Sequence, residues 1–448
     1  MIVILGGGPA GRIAAIRLAT AGRKVTLVES GGISRGIGGQ CLHYGCMPVC
    51  ALNDAARFIK QARSFQTLGI TGASPVISFP ALVKEMQAVQ QKIAEILDHE
   101  TRSAGVEIVY GRHGRLEGRQ AFIGDEPVGS EAVIAATGSR PNVPKVEGTD
   151  IHGVYTPHTL HAMPQLPQRI AIIGGGVMAA EYAYIFNAFG SEVTLVSRSS
   201  FLKSIDKDLR SLAIKELGGV EILEDAPLLS LEGCSQVTGV RVGGKGGEST
   251  VPVDAVLIAA GLVPRSEALE GVKKGPVGEV IVDDHMRTSV PGVYACGDVT
   301  GPPYLTPVAR SQGTVAADNI LGIDRSMDYR FIPQSINLDH ELAFCSSKED
   351  TAASMTIPGP AGPGTFWHVL SGDTGLAKVM FDKDTGAISG VCAAGPGGGL
   401  IAGYLAFLMR KNCTVHDFEE FMEVHPSTDG VYGLLKYASE IIKRRGPS

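Results

Sequence analysis

The distribution of apolar and polar residues along the chain predicts two copies of a strand–helix–strand unit. In the first copy, the apolar run Ile2–Leu5 predicts a buried strand, a helical pattern continues to Ala21, and residues 24–28 form a second strand. The same order returns later, with strands at residues 169–173 and 193–196. Strands that alternate with helices in this way are typical of α/β proteins.

The loop after the first strand carries a glycine motif. Gly6, Gly8 and Gly11 form G-x-G-x-x-G between a strand and a helix, and Glu29 ends the next strand about twenty positions on. Gly6 makes the turn, Gly8 lets the backbone approach a pyrophosphate, and Gly11 lets the helix pack closely. Glu29 is suited to accept a hydrogen bond from a ribose hydroxyl. The motif therefore predicts a dinucleotide site, and a purely structural turn is the alternative.

A second motif of this type opens the second unit. Its motif positions are Gly174, Gly176 and Ala179. Ser197 stands where Glu29 stands in the first unit, and Arg198 and Lys203 follow. An acidic residue there would repel a 2′-phosphate, whereas these two cations can pair with one. The second site is therefore predicted to prefer NADPH, with NADH as the alternative. Two solvated basic residues in a surface loop are the structural interpretation.

Two closely spaced cysteines are the main candidates for chemistry. Cys41 and Cys46 are five residues apart, so in an ideal helix their Cα atoms would be about 7.5 Å apart, beyond the limit of about 7 Å for a disulfide. A helix there must be distorted, as Gly45 and Pro48 allow. Eight cysteines are too few for a disulfide framework, which favours redox or metal chemistry, and no second Cys or His pair nearby completes a zinc site. Buried, inert cysteines are the alternative.

Composition and charge narrow the possible functions. The chain has 448 residues, 44% of them hydrophobic, enough for about two to four domains with buried cores. A formal net charge of -6 gives no reason to expect binding to nucleic acid or an anionic membrane. The longest apolar run, Leu400–Met409, is too short to span a membrane, and the motif at Gly6 leaves no room for a secretory leader. We expect a cytoplasmic protein.

Four motifs together carry a resemblance to a known family. Beyond the first glycine motif, they are A-T-G at Ala136–Gly138, which includes Thr137 and Gly138, A-x-G-D at Ala295–Asp298, and G-G-x-C-x4-C-x-P at Gly38–Pro48. A strand with a similar small-residue ending closes at Gly261. The chain resembles the FAD-dependent pyridine nucleotide-disulfide oxidoreductases of the glutathione reductase, dihydrolipoamide dehydrogenase and mercuric reductase type. The resemblance covers essentially the whole length.

The resemblance implies an α/β fold with two Rossmann-like dinucleotide-binding domains, for FAD and NAD(P), and a C-terminal α+β dimerisation domain. The first part of the FAD domain is expected at residues 1–145 and its second part, with Asp298, at 266–327. The NAD(P) domain is expected at 146–265. The dimerisation domain is expected at 328–448.

The resemblance also implies a mechanism. Electrons would pass from NADPH through FAD to a Cys41–Cys46 disulfide, with Cys46 nearer the flavin and Cys41 as the thiol that exchanges with substrate. His425 lies in a segment similar to the family's H-P-T sequence, which implies an acid–base role toward Cys41 across a homodimer interface. The implied partner is a small thiol or disulfide, such as dihydrolipoamide, or a redox protein. The direction of electron flow stays open.

Other functions remain compatible with the sequence. One is a flavin electron-transfer subunit that acts on a protein partner, and another is a reductase of a metal, sulfur or quinone acceptor. A flavin-binding relative without turnover is a third. Turnover of small disulfides and rapid bleaching of the flavin by NADPH distinguish these alternatives.

Two positions in the reaction centre depart from the family pattern. Where the family has a lysine paired with a glutamate beside the flavin, this chain has Cys50, while the glutamate is present as Glu181. We therefore expect Glu181 to be protonated more easily or to be held by another donor. Cys50 is favoured as an inert packed thiol, with exchange at the disulfide or binding of a soft metal or sulfur species as the alternative. Gly430 replaces the glutamate that orients the histidine, and Asp429 is its candidate substitute.

Overall fold

The computed structural model describes residues 1–346 and 353–445 of the chain. The strands are β1 Ile2–Leu5, β2 Val25–Glu29, β3 Glu107–Tyr110, β4 Gly114–Glu117, β5 Gln120–Ile123, β6 Glu126–Val128, β7 Ala132–Ala135, β8 Ser139–Pro141, β9 Val154–Tyr155, β10 Arg169–Ile173, β11 Glu192–Val196, β12 Glu221–Leu223, β13 Leu228–Gly233, β14 Val237–Val242, β15 Ser249–Pro252, β16 Ala255–Ile258, β17 Leu262–Pro264, β18 Leu269–Glu270, β19 Val293–Ala295, β20 Gln334–Asn337, β21 Glu341–Ser346, β22 Ala353–Pro358, β23 Leu376–Phe381 and β24 Ile388–Ala394. The α-helices are α1 Pro9–Thr20, α2 Gly39–His43, α3 Cys46–Thr67, α4 Phe79–Ser103, α5 Val177–Phe189, α6 Lys207–Glu216, α7 Thr306–Ile320, α8 Gly398–Arg410 and α9 Gly430–Arg445. Short 3₁₀ helices lie at Leu160–Ala162, Asp298–Thr300, Phe366–Ser371 and Val415–Phe418.

The first glycine motif follows the central strand of a five-stranded parallel sheet, whose order is β19-β7-β1-β2-β3. β1 is central and wholly buried, with Ile2 paired to Val25 on one side and to Ala132 on the other. α1 packs closely against α7, since a Cβ at Gly313 of α7 would lie 2.3 Å from the carbonyl oxygen of Ala10 in α1. Because the carboxyl ends of parallel strands share one edge, the loops after β1, β7 and β19 come together there.

A second five-stranded parallel sheet carries the second motif, in the order β12-β11-β10-β16-β9. β10 is central, since Ile170 pairs with Val193 and with Ala255. Its crossover helix α5 packs on the sheet and also against α3. Nearly every residue of α5 is therefore buried, and this packing holds Glu181 in the interior.

The C-terminal region forms an antiparallel sheet in the order β20-β21-β24-β23-β22, covered by α8 and α9. Smaller antiparallel elements join the regions. β8 pairs with β17, so the two chain segments that link the large parallel sheets run side by side.

The predicted strands and helices of both βαβ units are confirmed, with the helices starting inside the glycine motifs at Pro9 and Val177. The A-x-G-D motif suggests a helix that starts at its carboxylate, but Asp298 opens only a single 3₁₀ turn, because Gly301 and the prolines at 302 and 303 interrupt it before α7. Within the described residues, no helix is both long and apolar enough to cross a membrane.

Candidate active site

The two cysteines lie on either side of a break between two helices. α2 ends at His43 and α3 begins at Cys46, so the distortion predicted from the spacing takes the form of two separate helices joined at Gly45. Gly38, just before α2, has φ +127°, and a Cβ there would meet Leu42 at 2.5 Å. Only glycine fits that position. The glycines of this segment thus bring the two cysteine side chains together.

The thiols of Cys41 and Cys46 are unequal. Both are free thiols, so the structure represents the reduced dithiol. A hydrogen bond from Cys41 is the main cause that lowers the pKa of Cys46 to about 6, and the hydroxyl of Thr306, 3.4 Å from the Cys46 sulfur, adds to this. The same bond, together with burial, raises the pKa of Cys41 far above its usual range. Cys46 is therefore the thiolate of the pair and Cys41 the protonated thiol.

Glu181 lies close to this dithiol without a lysine partner. Its Oε1 accepts hydrogen bonds from the backbone amide of Asn337 at 2.9 Å and from the Asn337 side chain at 3.1 Å. Burial raises the pKa of Glu181 to about 7. Cys50 occupies the lysine position; burial raises the pKa of its thiol, and negative charge at Cys46 and Glu181 adds to the shift. The other donor expected for Glu181 is thus Asn337.

His425 is hydrogen-bonded to the residue before Gly430. Its Nδ1 lies 2.6 Å from Oδ2 of Asp429, the substitute considered from the sequence. The His425 side chain is 73% exposed. Among the hydrogen bonds of the described residues, the His425 ring bonds only to Asp429. Within one chain, His425 therefore makes no hydrogen bond to Cys41 or Cys46.

The first glycine motif lines a cavity of about 310 Å³. The cavity walls include Gly6, Gly8, Glu29 and Thr137, four of the predicted contacts. Gly6 has φ +113°, and a Cβ there would lie 2.2 Å from the carbonyl oxygen of Ala136, so the turn requires glycine. Glu29 accepts from the backbone amides of Gly7 and Gly31 at 3.0 and 2.9 Å, which fixes its carboxylate at the wall.

Three other predicted contacts surround this cavity rather than line it. Gly11 packs against the carbonyl oxygen of Gly6, as its role in close helix packing requires. Gly138 has φ +73° and lies in the loop after β7. Asp298 accepts a hydrogen bond from Ser139, a wall residue, at 2.5 Å, and burial raises the pKa of Asp298.

A larger cavity of about 740 Å³ surrounds the second motif. The predicted residues on its walls are Gly174, Gly176, Arg198, Lys203 and Gly261. Ala179 is instead fully buried, and its Cβ lies against Gly174, so it allows the close approach of α5. Lys145, which the sequence analysis did not single out, lines the same cavity. Arg198 and Lys203 are both exposed to it.

Comparison with known proteins identifies this arrangement. Residues 1–313 match a family model described as pyridine nucleotide-disulphide oxidoreductase, and residues 361–433 match the dimerisation domain of that family. The chain belongs to the pyridine nucleotide-disulphide oxidoreductase family. It is an FAD-dependent oxidoreductase that uses a pyridine nucleotide and acts in thiol–disulfide chemistry.

Relatives in this family match along nearly the whole chain. The dihydrolipoyl dehydrogenase of Thermus scotoductus is 30% identical, over 99% of this chain and 97% of that protein. The dihydrolipoyl dehydrogenase of Bacillus subtilis is 28% identical over 95% of each. Among solved structures, the HOCl-induced flavoprotein disulfide reductase RclA from Escherichia coli has a TM-score of 0.83 at 24% identity, over 99% of each chain. That structural likeness shows the α/β fold with its C-terminal domain.

The residues of the first cavity fit FAD. The glycine cradle at Gly6 and Gly8 admits a pyrophosphate at the N-terminus of α1, and Glu29 is placed for a ribose. Arg35 and Arg265 supply two cations on the same wall. Burial is the main cause that lowers the pKa of His158 to about 4, and the positive charges of Arg265 and Arg35 lower it further. The oxidoreductase therefore offers positive charge where an anionic cofactor has to bind.

Sequence reasoning missed several of these side chains. The ring of Tyr44, in the break between the helices, stacks on His158 at 4.0 Å, and His158 Nε2 lies 2.5 Å from Oε1 of Gln40. The stack and the hydrogen bond tie the cysteine segment to His158, which lies 118 positions after Gln40. No local spacing connects these positions. A signal existed only for Arg35, a basic residue in the glycine-rich segment between the ribose carboxylate and the cysteines.

Proposed function

We propose that this enzyme is a homodimeric, NADPH-preferring oxidoreductase of the dihydrolipoamide dehydrogenase type, in which the Cys41–Cys46 pair exchanges electrons with a thiol or disulfide substrate. The observation that carries the proposal is the inequality of the two thiols. One thiolate of low basicity, Cys46, lies beside a protonated partner, Cys41, at the start of α3. The two cysteines are also close enough to share a hydrogen bond, as a pair that forms a disulfide has to be.

The roles of the chain's own groups follow from this polarisation. Bound FAD supplies the two-electron chemistry that connects the pyridine nucleotide to the disulfide. Cys46, whose thiolate is stabilised by hydrogen bonds from Cys41 and Thr306, holds negative charge in the reduced enzyme. Cys41 keeps its proton until a base removes it, and the resulting thiolate attacks the substrate disulfide. Oxidation of a dithiol substrate uses the same steps in reverse.

His425 is the proposed base. Asp429 accepts the Nδ1 proton of the ring, which leaves Nε2 free to take the proton of Cys41 or return it. Because the exposed ring makes no bond to the dithiol of its own chain, we assign the proton transfer to His425 of the partner subunit. Exposed apolar side chains in the same region support dimerisation: Leu400, Phe407, Met422 and Val424 are each more than half exposed.

The preference for NADPH rests on the second cavity. Arg198 and Lys203 line it at the end of β11, where Ser197 replaces the carboxylate of the first site. Ser197 is a neutral residue, and its hydroxyl donates to the backbone oxygen of Ser199 at 2.7 Å. A 2′-phosphate is attracted to such a site, and its absence in NADH removes that interaction.

A second candidate function is supported by Cys50, a third sulfur one helical turn from Cys46 and exposed. It would suit a soft metal, a sulfur species or a quinone as the electron acceptor, or a redox protein as the partner.

The experiment that separates the candidates is anaerobic titration of the purified enzyme with NADPH and with NADH, followed by turnover assays with disulfides, dihydrolipoamide and quinones. We expect reduction by NADPH and turnover of disulfides. Turnover of quinones alone would favour the second candidate.

A further inference from the structure

Glu181 is a buried carboxylate that has neutral hydrogen-bond donors in place of a cation. It is 8% exposed, and within the described residues it accepts hydrogen bonds only from the backbone and side chain of Asn337. Burial removes water from a carboxylate, and neutral donors compensate for only part of that loss. The protonated form is therefore accessible near neutral pH.

The cations of α3 are held away from Glu181. One face of the helix carries a polar stripe of Cys46, Cys50, Asn53, Arg57 and Lys60, at alternating spacings of four and three residues. The last three bind consecutive residues of the C-terminal domain: Asn53 Nδ2 donates to Asn337 O at 2.6 Å, Arg57 Nε to Leu338 O at 2.6 Å, and Lys60 Nζ to Asp339 Oδ2 at 3.0 Å. Arg57 therefore acts on Glu181 only through space.

The groups that face Glu181 come from three elements. They are Cys46, Cys50 and Arg57 on α3, Tyr182 beside it on α5, and the neutral Asn337 on β20. Among them, Cys46 changes charge with the redox state, since a disulfide sulfur is neutral and a thiolate is an anion. Burial raises the pKa of Glu181 to about 7, and negative charge at Cys46 contributes in the same direction. Glu181 therefore binds a proton more tightly when the dithiol is reduced.

We propose that Glu181 stores a proton for the dithiol, binding it when the Cys41–Cys46 disulfide is reduced and releasing it on oxidation, with Asn337 as a positioning residue. On reduction the S–S bond breaks and the two sulfurs take up two electrons. One proton bonds to Cys41, Cys46 remains a thiolate, and a second proton bonds to Glu181. The charge of the buried site is then the same in both states. The inference rests on the proposed function in taking this pair as a redox couple.

The test is the pH dependence of thiol–disulfide exchange between the holoenzyme and the reduced and oxidised forms of dithiothreitol, with enzyme thiols counted by alkylation. In Glu181→Gln, the equilibrium constant for reduction of the enzyme disulfide by dithiothreitol begins to rise tenfold per pH unit at about pH 6, where Cys46 releases its proton. In the wild type, the curve has a flat segment that ends at about pH 7, the pKa of Glu181 beside the reduced dithiol, because Glu181 takes up a proton on reduction in that range. The rise at higher pH is therefore displaced to higher pH relative to Glu181→Gln, by the amount by which reduction raises the pKa of Glu181. The same position of this rise in both proteins would overturn the inference.

A second variant and a control guard against a folding defect. Asn337→Ala keeps the backbone donor to Glu181 and loses the side-chain donor, so it moves the flat segment, in which Glu181 takes up the proton, to higher pH; an unmoved flat segment contradicts the positioning role. Glu216→Gln is the matched control, since Glu216 is 3% exposed, bonds to His340 and lies outside the polar stripe. Its curve stays at the wild-type position, and a shift like that of Glu181→Gln would show a non-specific effect and overturn the inference.

The exchange measurement requires no nucleotide. A protein that NADPH does not reduce would therefore refute the proposed function and leave the curves for Glu181 interpretable. Identical curves in an enzyme that NADPH does reduce would refute only the proton store.

Discussion

Asp429 Oδ2 lies 2.6 Å from Nδ1 of His425, so the residue before Gly430 supplies the imidazole with a carboxylate partner. The bond joins residues four positions apart just before α9, whereas a side chain at Gly430, the first residue of α9, would meet Pro360 and Ala377 at 3.3 and 3.4 Å. The shift of one position keeps the imidazole oriented. The proposed acid–base role of His425 therefore does not require a carboxylate at position 430.

The first prediction concerns this pair. His425→Ala should lower the rate of the disulfide half-reaction by about 10²- to 10⁴-fold, the usual contribution of a general acid–base group. Asp429→Asn should fall between that variant and the wild type, because the ring remains but its tautomer is no longer fixed. Reduction by NADPH should be unchanged in both. Rapid-mixing kinetics of the two half-reactions give the comparison, and Asp384→Asn, an exposed carboxylate of the same domain, is the control.

The second prediction tests whether the histidine acts across the dimer. Cys41→Ser and His425→Ala chains should each be inactive alone. Mixed by subunit exchange, they should recover about a quarter of wild-type activity, since half of the dimers are mixed and each has one intact site of two. Mass-tagged subunits confirm the exchange. No recovery in mixtures that have exchanged would assign His425 to its own chain.

The third prediction concerns nucleotide choice. Removal of both Arg198 and Lys203 should weaken NADPH binding at least tenfold and leave NADH nearly unchanged, because each charge-assisted phosphate contact is worth roughly 1.5–3 kcal/mol. Lys207→Ala, an exposed lysine of α6 that does not line the cavity, is the matched control. Dissociation constants for both nucleotides decide the matter. Equal losses would mean that the two cations do not read the 2′-phosphate.

The fourth prediction concerns Cys50. Cys50→Lys should place a cation near Glu181 and the reduced flavin, raising the flavin potential on the order of 30 mV or more, as about 1.4 kcal/mol of added charge stabilisation would. Cys50→Ser should leave two-electron reduction of the disulfide intact. Spectroelectrochemistry measures the first effect and NADPH titration the second. A Cys50→Ser enzyme that is reduced by NADPH but turns over no substrate would place Cys50 in the substrate half-reaction.

Local patterns predicted much of the fold and part of the site. Gly11 is dictated by a contact within its own strand–helix turn, and Gly6 by the positive φ of that turn, so the G-x-G-x-x-G spacing located both. The bond between Glu181 and Asn337 joins residues 156 positions apart and depends on how α5 packs against the C-terminal sheet. Arg265 reaches the FAD cavity through the β8–β17 pairing, which no motif encodes. The sequence showed that a cation was missing at Cys50, and packing determined what replaced it.

The most direct test of the central claim counts electrons. The claim is that Cys41 and Cys46 form a redox couple fed by NADPH through bound FAD. Under anaerobic conditions, the wild type should consume one more equivalent of NADPH or dithionite than Cys41→Ser before its flavin is fully reduced, because only the wild type has a disulfide to reduce. Equal consumption by the two proteins, both loaded with FAD, would contradict the account.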